Sequence, residues 1–88
     1  MDIKMLRKLT QTFGVSGREG EINKVITEFV TGYADEITTD GIDNLIVFKA
    51  GNGKNRKKVM VSAHKDEIGF MVMAIDDKGF LTVRGVGG

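Results

Sequence analysis

The segment Val59-Met60-Val61-Ser62-Ala63-His64-Lys65-Asp66-Glu67-Ile68-Gly69 decides how the rest of this chain is read. From Lys58 to Ala63 it is continuous and β-branched enough for an interior strand of an α/β sheet, covered on both faces. The run ends at the chain's single histidine, where charged residues take over. Ligands of open α/β sheets gather at the carboxyl ends of strands, so His64 stands where chemistry collects. Side chains alternate along a strand, which puts His64 and Asp66 on one side and turns Lys65 and Glu67 to the other. A carboxylate so placed can accept from one imidazole nitrogen while the second nitrogen grips a metal. On spacing alone the triplet fits two roles, a hydrogen-bonded structural histidine and a metal ligand. Zinc and its relatives take three or four protein ligands. With no Cys and no second His in the chain, the others would be carboxylates or come from elsewhere, so the chain reads as a piece of something larger.

Upstream, Met5, Leu6, Leu9 and Phe13 recur at helical spacing, with Asp2 favouring the amino end through the helix dipole and Gly14 ending the helix. A second helix is predicted by the apolar face Ile22, Val25, Ile26, Phe29 and Val30. Ser16 and Glu19 have capping-box spacing ahead of it, and Gly32 can supply a left-handed stop. Phe13-Gly14-Val15-Ser16-Gly17 makes the corner between the two helices. After Tyr33 the period becomes extended: Glu36 to Thr39, a turn at Asp40-Gly41, Asn44 to Lys49, then a polar loop from Ala50 to Arg56. Downstream of the motif, Phe70 to Ile75 and Phe80 to Arg84 flank Asp76-Asp77-Lys78-Gly79, a β-hairpin signal. This makes Asp76 and Asp77 turn residues rather than an acid/base pair. Gly85 to Gly88 offers no cap or docking element, an ending that looks unfinished.

At 88 residues the chain can form one domain at most. Chains of this size bury roughly 60 to 65% of their unfolded surface, and no disulfide supplements that core. A partner surface or further chain is therefore expected. The net charge of +1 argues against a nucleic-acid module. Lys54, Arg56, Lys57 and Lys58 form a basic cluster, but glycines and asparagines flank it and no aromatic residue is there for base stacking, so it reads as a solvated turn. No apolar run approaches the ~18 residues of a membrane span, and the start Met1-Asp2-Ile3-Lys4 resembles no signal peptide. The expectation is no membrane partner and a cytoplasmic location. Met60, Met71 and Met73 are expected as core filling, Lys65 as solvated or paired with a carboxylate, and Glu67 in a supporting role.

Other catalytic plans fail on the residue list. A thiol nucleophile is excluded by the lack of Cys. Ser62 lacks the glycine-flanked elbow that activates serine in hydrolases. Gly14-Val15-Ser16-Gly17 is preceded by no strand and followed by no Gly-Lys-Ser/Thr, so it is no phosphate loop. No pair of carboxylates stands at a strand end facing a common cleft, which ranks a glycosidase low.

The order of helix, Phe13-Gly14-Val15-Ser16-Gly17-Arg18-Glu19, second helix, Asp40 with Asn44-Leu45-Ile46, the block Val59 to Val72 and finally Gly87-Gly88 resembles the glutamyl or tetrahedral aminopeptidases, dinuclear-metal exopeptidases of which some carry endoglucanase-like names. The likeness covers nearly the whole chain and corresponds to the amino-terminal portion of a family member. It implies an α/β fold: residues 1–66 as the first part of a zinc-exopeptidase-like catalytic domain, residues 67–88 as the entry into an inserted β-rich domain that drives assembly. It further implies hydrolysis of amino-terminal residues from peptides through a metal-activated water, two divalent metal ions, zinc or cobalt, and a homo-oligomer. His64 matches a ligand of one metal and Asp66 the catalytic aspartate that orients it. The bridging Asp, the general-base Glu, a further carboxylate and the second His of the family have no counterpart before Gly88, so the piece alone is expected to be inactive. Two positions depart from the family pattern. Asp43 stands where Gly often precedes Asn44, and Lys65 stands where an apolar residue, often Met, separates the motif residues. The alternative from another class is a non-catalytic folding or assembly module, or a truncated product, that self-associates through exposed sheet edges.

Overall fold

In the computed structural model, which describes residues 2–88, the chain begins with helix α1, Ile3–Gln11. Asp2 does more than face the helix dipole: it is the N-cap, its carboxylate accepting from the Lys4 amide at 2.9 Å. The helix stops before Gly14, because Thr12 is already extended and its hydroxyl donates back to the Lys8 carbonyl at 2.6 Å. Gly14 serves another purpose. A β-carbon there would lie 3.2 Å from Ile22 Cγ2, so the missing side chain lets the corner close on the second helix.

That helix, α2, spans Gly20–Val30 and carries the only buried apolar side chains among the described residues, Ile22 and Val25. Its predicted ends need correction. The N-cap is Glu19, without a side-chain capping bond, and Ser16 lies too far upstream to serve. Gly32 does not adopt the left-handed conformation; Tyr33 and Ala34 amides donate to the Val30 carbonyl and wind the chain off the helix instead. α1 packs against α2 partly through Lys8, which pairs with Glu28 and lies 5.7 Å from the centre of the Phe29 ring.

Strand β1, Glu36–Thr39, pairs antiparallel with β2, Leu45–Phe48, in register from Glu36 opposite Phe48 to Thr39 opposite Leu45. The Asp40 carboxylate organises the turn, accepting from the amides of Ile42 and Asn44 at 3.0 and 2.9 Å and from Asn44 Nδ2 at 2.7 Å. The second hairpin joins β3, Gly69–Ile75, to β4, Leu81–Val86. Its turn is closed by Asp76, whose carboxylate accepts from the Lys78 and Phe80 amides, with Gly79 at φ 82°. A bulge at Met73 shifts the register between Val72 and Ala74.

The expected interior strand from Lys58 to Ala63 is not formed. The two hairpins are separate two-stranded sheets, so no neighbour offers this segment a ladder, and Val59, Met60 and Val61 are 85 to 91% exposed. The composition of a covered strand is present without its cover. Met60, Met71 and Met73 are likewise exposed rather than core filling. The chain shows 7962 Å² of surface where a closed protein of its mass would show about 5,000 Å², and its radius of gyration of 17.7 Å compares with about 12 Å for a compact chain of this length. Among the described residues no helix is long and apolar enough to cross a membrane.

Candidate functional site

The motif reaches its position by docking on the corner between the helices. The Glu67 amide donates to the Gly14 carbonyl at 2.8 Å, the Ser16 amide to the Glu67 carbonyl at 3.4 Å, and Val15 and Glu67 form a short parallel bridge. Close packing fixes the approach. A β-carbon on Gly69 would collide with the Val15 side chain, and one on Gly87 would sit 3.2 Å from Ser16 Oγ.

On that corner His64 and Asp66 meet. His64 Nδ1 lies 3.3 Å from Asp66 Oδ1 and 3.1 Å from the Asp66 carbonyl oxygen. Both neighbours are acceptors, so the arrangement calls for a proton on Nδ1, and in the neutral ring the lone pair then falls on Nε2. The imidazole is 87% exposed. Asp66 is half-buried, and its other oxygen, Oδ2, accepts a short hydrogen bond from the Ser16 hydroxyl. That hydroxyl is the largest influence holding the Asp66 carboxyl below the usual aspartate range; partial loss of water opposes it, and the residue's own amide and the His64 ring add smaller pulls.

Lys65 is partly buried and makes no close ion pair with a carboxylate among the described residues. Its ammonium donates to the Asp43 carbonyl at 2.9 Å, an oxygen that also accepts from Asn23 Nδ2 at 3.2 Å. Asn23 is a buried member of α2, and its Oδ1 has no partner among the described residues. The reading of periodicity passed over Asn23, although a polar residue next to Ile22 on the buried side of a helix is itself a signal. Glu67 joins the site through its backbone, and it borders an apolar cavity of about 300 Å³ shared with Leu9, Ile22, Ile26 and His64. Asp76 and Asp77 stand in the far hairpin turn.

The donor set fits a metal in part. His64 offers one exposed nitrogen with its partner nitrogen already engaged, which suits a single ligand. Among the described residues no three His, Cys, Asp or Glu side chains converge to complete a site.

Comparison with known proteins gives this geometry a setting. The model of the M42 glutamyl aminopeptidase family matches residues 43–88. A relative from Acetivibrio thermocellus bearing an aminopeptidase name is 52% identical over 84 residues, covering 96% of this chain and 24% of its own length. Among solved structures, one from Thermotoga maritima named endoglucanase superposes with a TM-score of 0.84 at 41% identity, over 94% of this chain and 26% of the other. Another, PhTET1-12s, a dodecamer, gives 0.79 at 37% identity over 100% and 26%. The chain thus spans about a quarter of the length of the proteins it matches. Since the family model takes in more than half of its residues and the two-helix, two-hairpin order superposes on these structures, the chain belongs to the M42 glutamyl aminopeptidase family.

Proposed function

We propose that this chain is the amino-terminal part of a metal-dependent aminopeptidase that hydrolyses amino-terminal residues from peptides. His64 supplies one ligand to one of two divalent metal ions, zinc or cobalt, and Asp66 orients its ring. One observation carries the reading: Nδ1 of His64 is engaged by Asp66 while Nε2 is left exposed. A divalent metal bound there supplies Lewis-acid polarisation and lowers the pKa of its water. Asp66 fixes the imidazole tautomer, and the corner of residues 13–17 holds the pair against α2. Residues 67–88 lead into an inserted β-rich domain, and the full-length protein forms a homo-oligomer, as the dodecameric relative does.

The test uses the full-length protein. His64→Ala should abolish cleavage of an aminoacyl p-nitroanilide and weaken zinc binding measured by calorimetry. Unchanged zinc affinity overturns the assignment. The 88-residue chain alone should show no cleavage.

A second reading, a self-associating assembly module, is favoured by the open hairpins and the unpaired segment before His64, which expose Phe70, Ile75, Phe80 and Met60 by 68 to 90%. Light scattering separates the cases. Oligomers formed by the 88-residue chain, with full-length protein that neither binds zinc nor cleaves peptides, would favour the module.

A further inference from the structure

We propose that Ser16 is a positioning residue for the His64 site, holding the Asp66 carboxylate so that it, and not a neutral carbonyl, keeps His64 Nδ1. The inference rests on the metallopeptidase reading above and adds a residue to it.

Ser16 is released from the role its spacing predicts, because α2 begins at Gly20 with Glu19 as its cap. Its hydroxyl instead crosses 50 residues of sequence to donate to Asp66 Oδ2. A serine hydroxyl has one proton to give, and here the carboxylate takes it. The two oxygens of Asp66 are thereby divided, Oδ2 to Ser16 and Oδ1 to the imidazole at 3.3 Å. Division matters because His64 Nδ1 has a competing acceptor, the Asp66 carbonyl, at 3.1 Å. Without the hydroxyl the carboxylate is free to turn about its terminal torsion and take water, leaving the carbonyl as the remaining partner. An imidazole held by a carboxylate is a more basic metal ligand than one held by an amide oxygen.

Ser16 is itself held by what surrounds it. Its amide donates to the Glu67 carbonyl at 3.4 Å, and the Arg18 amide closes back on the Val15 carbonyl at 2.8 Å. Gly17 takes φ 82°, bending the chain beneath it. Gly87, at φ 78°, brings bare backbone over the hydroxyl, at a spot where a β-carbon would lie 3.2 Å from Oγ. The hydroxyl is thus confined between the corner and the end of β4, aimed at one carboxylate oxygen.

The experiment compares Ser16→Thr with Ser16→Val in the full-length protein, two side chains of near-equal shape that differ by the hydroxyl. Calorimetric titration with zinc alone is the readout, with kcat and KM on a peptide substrate beside it. Ser16→Thr should bind zinc as the wild type does. Ser16→Val should bind about tenfold more weakly, the low end of what loss of a supporting partner costs a metal site, with KM unchanged. In an Asp66→Ala background the Thr and Val variants should bind alike, because Ser16 acts through Asp66. Equal affinity of the Thr and Val variants while His64→Ala still weakens binding would overturn the role of Ser16 and leave the metallopeptidase reading standing. A wild-type protein that binds no zinc would overturn both. Should either substitution prevent folding, Ser16→Ala against wild type carries the same comparison, with the same tenfold loss expected and equal affinity decisive against the role.

Discussion

Lys65 Nζ donates to the carbonyl of Asp43 at 2.9 Å, and Asp43 is the one non-glycine residue described with a positive φ, 67°. The cation between His64 and Asp66 is thereby engaged by a left-handed turn at the foot of β2. Asn23, from α2, reaches the same oxygen. One carbonyl thus ties helix, hairpin and motif together.

Replacing that cation tests the tie. Lys65→Met in the full-length protein should lower unfolding free energy by about 1.5 to 3 kcal/mol, the loss of one charge-assisted hydrogen bond, while the Asn23 bond keeps the carbonyl satisfied. Urea denaturation measures it. Cleavage should change less than twofold, since the Lys65 ammonium is engaged at the Asp43 carbonyl; a large fall in kcat would mean that the ammonium works at the reacting centre.

The conformation of Asp43 sets a second expectation. A left-handed residue with a β-carbon costs about 1 to 2 kcal/mol, and the extra unfolded-state freedom of glycine returns about 0.4 to 1 of that. Asp43→Gly should therefore raise stability by about 0.5 to 1 kcal/mol in thermal or urea unfolding, and Asp43→Val should lower it. A destabilised glycine variant would show the Asp43 side chain to be worth more than the strain it bears.

Acid should loosen the first hairpin. Hydrogen bonds from the Asn44 side chain, then its amide, hold the Asp40 carboxyl below its ordinary value of 3.8, and the Ala50 amide does the same for Asp35. Both groups are thus more acidic folded than unfolded, so their stabilisation is in force above pH 3.8 and is lost as pH falls below it through the folded-state values. Asp40→Asn should flatten the acid limb of a stability profile followed by circular dichroism. An unaltered limb would place the acid sensitivity elsewhere.

Gly69 offers a steric test. Alanine there should cost about 1 to 3 kcal/mol, because its β-carbon enters the Val15 side chain, and Val15→Ala in the same protein should recover most of that loss. A Gly69→Ala protein as stable as wild type would show that the corner yields.

What the sequence reveals here tracks the distance over which each signal acts. β1 falls on Glu36–Thr39 and the apolar face of α2 on Ile22 and Val25, because alternation and helical period are local properties. The contact of Asp66 with His64 was legible for the same reason, two residues on an extended chain. The Ser16 hydroxyl and the Lys65–Asp43 bond were not, since each depends on how distant segments dock. The segment from Lys58 to Ala63 shows the converse: its apolar pattern fits a covered strand, but a ladder needs neighbours, and pattern alone supplies none.

The bond from Ser16 to Asp66 also sets an order of events. Helices and two-stranded hairpins close over a few residues and form within microseconds, whereas a link across 50 positions must first surmount the entropy of a large loop. The corner that presents His64 is thus expected to close after α2 and to open before it, and amide exchange at Ser16 and Glu67 should run ahead of that at Asn23 and Val25.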